Sequence, residues 1–87
     1  MDVAAQFGDN LVRCRKLAGV SQDELSILAS VHRTEISQLE RGLRIPRIDT
    51  LAKLCACLEV EAAELMAGIN WSPGDLRHGQ FRERIDG

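Results

Sequence analysis

The sequence predicts an all-α fold: a compact five-helix domain followed by a short C-terminal tail. Three observations carry that prediction. Apolar residues recur at helical spacing through most of residues 7–67. Helix start and stop signals cut that stretch into five segments joined by short loops. The composition, rich in Leu, Ala and Glu with 3% aromatic residues and two prolines, suits helices better than a sheet.

The first segment, residues 7–18, places Phe7, Leu11, Cys14, Leu17 and Ala18 on one face, and Gly19 is its natural stop. Ser21 opens the second. Ser21-x-x-Glu24 is a capping box ahead of Leu25, Leu28 and Ala29, and the helix runs to about Ser30. A third amphipathic segment occupies residues 32–41 and is closed by Gly42. Pro46 punctuates a loop. Residues 48–58 form the fourth, with Ile48, Leu51, Leu54, Cys55 and Leu58 inward, and a short fifth at 61–67 carries Leu65 and Met66. Residues 1–69 are thus read as the domain. Residues 70–87 are a polar tail with turn chemistry at Asn70-Trp71-Ser72-Pro73-Gly74, either flexible or docked on the domain or a dimer through Trp71 and Phe81.

Eighty-seven residues leave room for one small domain. No apolar run approaches the ~20 residues of a membrane span, and no signal peptide is evident at the N-terminus, so a cytoplasmic location is expected. The net charge is −2, but the charge is segregated. Arg33, Arg41, Arg44 and Arg47 face only Glu35 and Glu40 between residues 33 and 47, whereas Lys53 stands against Asp49, Glu59, Glu61 and Glu64 from 48 to 66. Such a distribution suits one basic working face. Cys14, Cys55 and Cys57 make neither a CxxC pair nor an even disulfide set. Cys55 and Cys57 would point in nearly opposite directions on a helix, so all three read as small apolar residues. The two histidines, His32 and His78, accompany no metal-spaced cluster, phosphate loop or nucleophile. Neither an enzyme, a metal site nor a cofactor is expected.

The third segment has two faces. At about 100° per residue, Arg33, Ser37, Arg41, Thr34 and Gln38 share one arc of about 140°. Ile36, Leu39 and Glu40 fall in the opposite sector, with Glu35 on a flank. Arg, Thr, Ser and Gln are residue types that read base edges in a major groove. Glu40 is anomalous on the inward arc, where an unpaired carboxylate is costly. Arg15, flanking the apolar face of the first helix, is its expected partner.

At this point residues 11–65 resemble the Cro/repressor-type helix-turn-helix family, the lambda-repressor-like or xenobiotic-response-element group of transcriptional regulators. The resemblance rests on Ser21-Gln22-x-x-Leu25, on Ile36-Ser37-x-Leu39-Glu40-Arg41-Gly42, and on Pro46 followed by Thr50-Leu51. It implies a five-helix domain that binds double-stranded DNA with the segment at about 32–41 in the major groove. By the same resemblance, Arg33, Thr34, Ser37 and Gln38 read bases. Gln22 meets a phosphate and braces the recognition helix, Arg41, Arg44 and Arg47 lie along the backbone, and Arg15–Glu40 is a structural ion pair. A homodimer on a palindromic operator follows, with Leu65, Met66, Ile69 and Trp71 as its interface.

Four departures from the family pattern stand out. Ser30 occupies a turn position usually held by Gly, His32 replaces the usual Ser, Thr or Asp cap, Ile27 stands where a charge is common, and Glu35 would repel phosphate. The start of the third segment also resembles restriction–modification controller proteins. A reading from another class is an antitoxin-type module that binds a protein partner through its tail, using Trp71, Leu76, Phe81 and Ile85.

Overall fold

The computed structural model describes residues 1–74 and 78–82. Five helices run in the order α1 (Val3–Ala18), α2 (Gln22–Ala29), α3 (Arg33–Glu40), α4 (Ile48–Leu58) and α5 (Ala62–Leu65). The first helix begins at Val3 rather than at residue 7. Its start is set by a cap, the Asp2 carboxylate accepting from the Ala5 amide at 3.2 Å, whereas apolar periodicity begins only where burial does, at Phe7. It ends at Gly19, left-handed at φ 74°.

Phe7, Leu11, Leu25, Ile36, Leu39, Leu54 and Leu65 are almost completely buried, so every helix contributes to a single core. Four apolar residues expected inside are instead exposed: Leu17 at 81%, Ala18, Leu28 at 58% and Ile48 at 80%. The reason is the true centre of each face. The buried arc of α4 is centred on Leu54 and Leu58 and includes Thr50, which puts Ile48 about 110° away. The α2 arc runs through Leu25, Ser26 and Ala29 and leaves Leu28 at a similar angle. Leu17 lies at the edge of the α1 arc, and Ala18 shares that arc but stands one turn past Cys14, the last buried residue of the helix.

Asn10 is a buried residue that apolar patterning passes over. It lies in register with Phe7 and Cys14, is 0% exposed, and donates to the carbonyls of Leu65 at 2.9 Å and Ala67 at 2.8 Å while accepting from Gln6. This clamp ties α1 to the end of α5 and satisfies carbonyls that a one-turn helix leaves open.

The tail contains strands the sequence did not suggest. Residues β1 (Asn70–Ser72) and β2 (Gln80–Arg82) pair antiparallel, with Trp71 opposite Phe81. Their rings meet edge to face at 5.1 Å. Phe81 also reaches the domain, lining an apolar groove with Val3, Phe7, Ile45, Met66 and Ile69. Leu76 and Ile85 lie outside the described residues. No described helix is long and apolar enough to cross a membrane.

Candidate nucleic-acid interface

The interface is built from α2, the turn after it, and α3. Ser21 caps α2, its hydroxyl accepting from the Glu24 amide at 3.0 Å while the Glu24 carboxylate accepts from the Ser21 amide at 3.2 Å. The helix stops at Ser30, which adopts the left-handed conformation (φ 53°, ψ 45°). A non-glycine residue there holds backbone strain. Ser30→Gly is therefore expected to stabilise the fold by about 0.5–1 kcal/mol, read as a rise in the urea midpoint without a change in slope. His32 then takes the N-cap position of α3 in extended geometry, with no side-chain cap bond.

Ile36 and Leu39 anchor α3 in the core at 0% and 1% exposure. Glu40 follows them inward and is the hub of a polar lock. Its Oε2 accepts from Arg15 Nε at 2.5 Å, and its Oε1 accepts from Arg15 Nη2 at 3.0 Å and Gln22 Nε2 at 2.8 Å. Arg15 donates its remaining terminal nitrogen to the Val20 carbonyl at 3.0 Å. The hydrogen bond to Glu40 pushes the Arg15 guanidinium above its ordinary pKa against the opposing effect of burial, and a bond donated by a guanidinium is stronger than one between neutral groups. One carboxylate thereby joins α1, the start of α2 and the end of α3. Gln22, at the start of α2, is thus bonded to Glu40 at the end of α3.

Away from the core, Arg33, Thr34 and Arg41 are exposed, while Glu35, Ser37 and Gln38 are half-buried along the same helix. Two of these side chains already have partners that spacing alone did not reveal. Arg33 Nε lies 2.8 Å from Asp23 Oδ1 of α2, and Gln38 Oε1 accepts from Arg44 at 3.3 Å. The second contact brings the loop after α3 alongside the polar strip. Arg47 instead pairs with Asp49 at the start of α4, at 3.3 Å. The first contact joins residues ten positions apart on successive helices; a carboxylate beside the capping box opposite an arginine that opens the next helix is the only signal the sequence carries for it.

The residues expected at a dimer interface divide. Leu65 is 0% exposed and belongs to the core, because the α1 clamp draws α5 inward. Met66 (41%) and Trp71 (55%) are exposed, and Ile69 is half-buried. Cys14 is buried and Cys55 and Cys57 are half-buried; burial, with Glu61 nearby, pushes the Cys55 thiol up, which disfavours the reactive thiolate. No cluster of metal-ligating side chains occurs among the described residues.

Comparison with known proteins agrees with this geometry. A helix-turn-helix family model matches residues 11–65. The chain is 33% identical over 77 residues to the uncharacterized HTH-type transcriptional regulator y4dJ of Sinorhizobium fredii, covering 88% of this chain and 100% of that protein. The crystal structure of the restriction-modification controller C.AhdI from Aeromonas hydrophila superposes with a TM-score of 0.69 at 32% identity, over 71% of this chain and 94% of that one. The biofilm master regulator SinR, solved in complex with DNA, superposes with a TM-score of 0.66 at 34% identity, over 69% and 97%. Sequence motifs, the α2–turn–α3 geometry and these likenesses agree: the chain belongs to the helix-turn-helix transcriptional regulators of the lambda-repressor-like class.

Proposed function

We propose that this protein binds duplex DNA sequence-specifically as a small bacterial transcriptional regulator, with α3 in the major groove and two copies on a palindromic operator. The observation that carries this reading is the polar strip of α3. Arg33, Thr34, Ser37 and Gln38 stand on the side opposite Ile36 and Leu39, and the Glu40 lock holds the helix that presents them. Arg and Gln offer the paired hydrogen bonds that guanine and adenine edges accept, and Thr offers a methyl to thymine. Gln22, Arg41, Arg44 and Arg47 contact the backbone and set register. The protein acts in the cytoplasm.

A duplex enriched from a randomised pool tests the division of labour. Arg33→Ala is expected to lower discrimination at one base pair by about 1–3 kcal/mol. Arg44→Ala is expected to weaken all sequences alike and flatten the salt dependence by roughly one unit of slope. Equal losses on operator and random duplex in both variants would sink the assignment.

The dimer reading rests on the apolar groove under Phe81 and on exposed Met66 and Trp71 beside it. Two-fold pairing doubles the few base contacts that one domain makes. Met66→Glu is expected to shift sedimentation equilibrium toward monomer without lowering the thermal midpoint of the monomer. An unchanged association constant would place the interface elsewhere.

A more specific reading, a restriction–modification controller, has the likeness to C.AhdI in its support. It predicts an enriched operator next to a restriction or methyltransferase gene in the source genome; an operator far from such genes rejects it.

A further inference from the structure

We propose that Asp23 is a positioning residue for base recognition: its carboxylate holds the Arg33 guanidinium in the orientation that reads guanine. The inference rests on the DNA-binding reading above and adds to it a residue of α2 that touches no base.

Asp23 Oδ1 lies 2.8 Å from Arg33 Nε. The two side chains remain 71% and 62% exposed, so burial does not force them together. An exposed pair of this kind adds little to folding, and α2 is already fastened to α3 by the Gln22–Glu40 bond and by Leu25 and Ile36 in the core. The contact is therefore not needed as architecture. Its chemistry suits recognition instead. A guanidinium presents five donors in one rigid plane. With the carboxylate beside Nε, the two terminal nitrogens lie on the far edge, the pair that can bond guanine O6 and N7 together. An arginine at the first position of a helix is otherwise a long, freely rotating side chain, and ordering it on binding weakens the contact. Asp23 settles that orientation beforehand. Against a base that lacks two acceptors, Arg33 keeps its carboxylate partner and gains nothing from the DNA, which sharpens the choice. The same carboxylate repels phosphate, so it lowers affinity for sequences in general.

The test is a base-pair substitution scan of a duplex enriched by the wild-type protein from a randomised pool, read by competition anisotropy. The proteins are wild type, Asp23→Asn, Arg33→Ala and the double variant. Arg33→Ala is expected to flatten one position, with Asp23→Asn lowering discrimination there by about threefold to tenfold, within what one bidentate contact supplies. In the double variant Asp23→Asn adds no further loss, and on random duplex Asp23→Asn alone binds more tightly. Asp23→Asn acting equally at every position, or acting undiminished when Arg33 is absent, overturns the proposal while leaving DNA binding intact. An Arg33→Ala scan that flattens no position overturns it too. A wild-type protein that enriches no duplex instead overturns the DNA-binding reading, and this inference with it.

Discussion

Glu40→Ala is expected to lower the unfolding free energy by about 3–5 kcal/mol, the cost of breaking a buried ion pair from one side. The side chains of Arg15 and Glu40 are only 13% and 5% exposed. Removing the carboxylate strands a guanidinium that no water shell can fully replace, and Gln22 loses its acceptor as well. For a domain of this size each kcal/mol moves the thermal midpoint by about 4–8 °C, so a fall of well over ~10 °C should be seen by circular dichroism. Because a small domain has about 5–15 kcal/mol in total, the variant sits near the edge of folding. Glu40→Gln keeps the shape and one acceptor oxygen but loses the charge, and its loss should be intermediate. A loss below ~1 kcal/mol for the alanine variant would mean that solvent reaches Arg15 and that the lock is dispensable.

Gly8→Val is expected to cost roughly 3 kcal/mol, at the upper end of overpacking in a close-packed core. Gly8 sits inside α1 where the helix backbone rests on α3. A Cβ there would stand 2.6 Å from the Leu39 carbonyl oxygen and 2.7 Å from that of Glu40. Those neighbours are backbone, not the tips of flexible side chains, so α3 itself must move. The substitution gains some helix propensity by removing a glycine, about 0.5 kcal/mol, which is too small to offset the clash. Displacing the C-terminal half of α3 should also weaken operator binding beyond the loss in folded fraction. Comparing denaturant midpoints with affinities measured on the folded protein separates the two effects. A Gly8→Val protein as stable as wild type would show that α1 and α3 are less closely seated than the structure has them.

The two predictions concern contacts of different legibility. The Arg15–Glu40 partnership can be read from sequence, because Glu40 is a charge on an apolar arc and Arg15 flanks the facing one. The Gly8 contact cannot. A glycine within a helical pattern records only that no side chain is present, and the carbonyls it faces come from residues more than thirty positions away. Asn10 is similar: its register with Phe7 and Cys14 marks it as inward, but the Leu65 and Ala67 carbonyls it satisfies depend on how α5 returns to α1.

The sequence by itself determined the number and order of the helices, the polar strip on α3, the strained turn at Ser30 and the family of regulators to which the chain belongs. Each is a local matter of periodicity, capping or motif spacing, and local interactions survive without knowledge of the fold. Tertiary structure alone decided that Leu65 belongs to the core, that Ile48 and Leu28 face solvent, that the tail pairs Trp71 with Phe81, and that Arg33 rests on Asp23. Burial and side-chain pairing are set by which helix lies across which. A helical wheel gives the width of an apolar face, but only the neighbouring element fixes its centre.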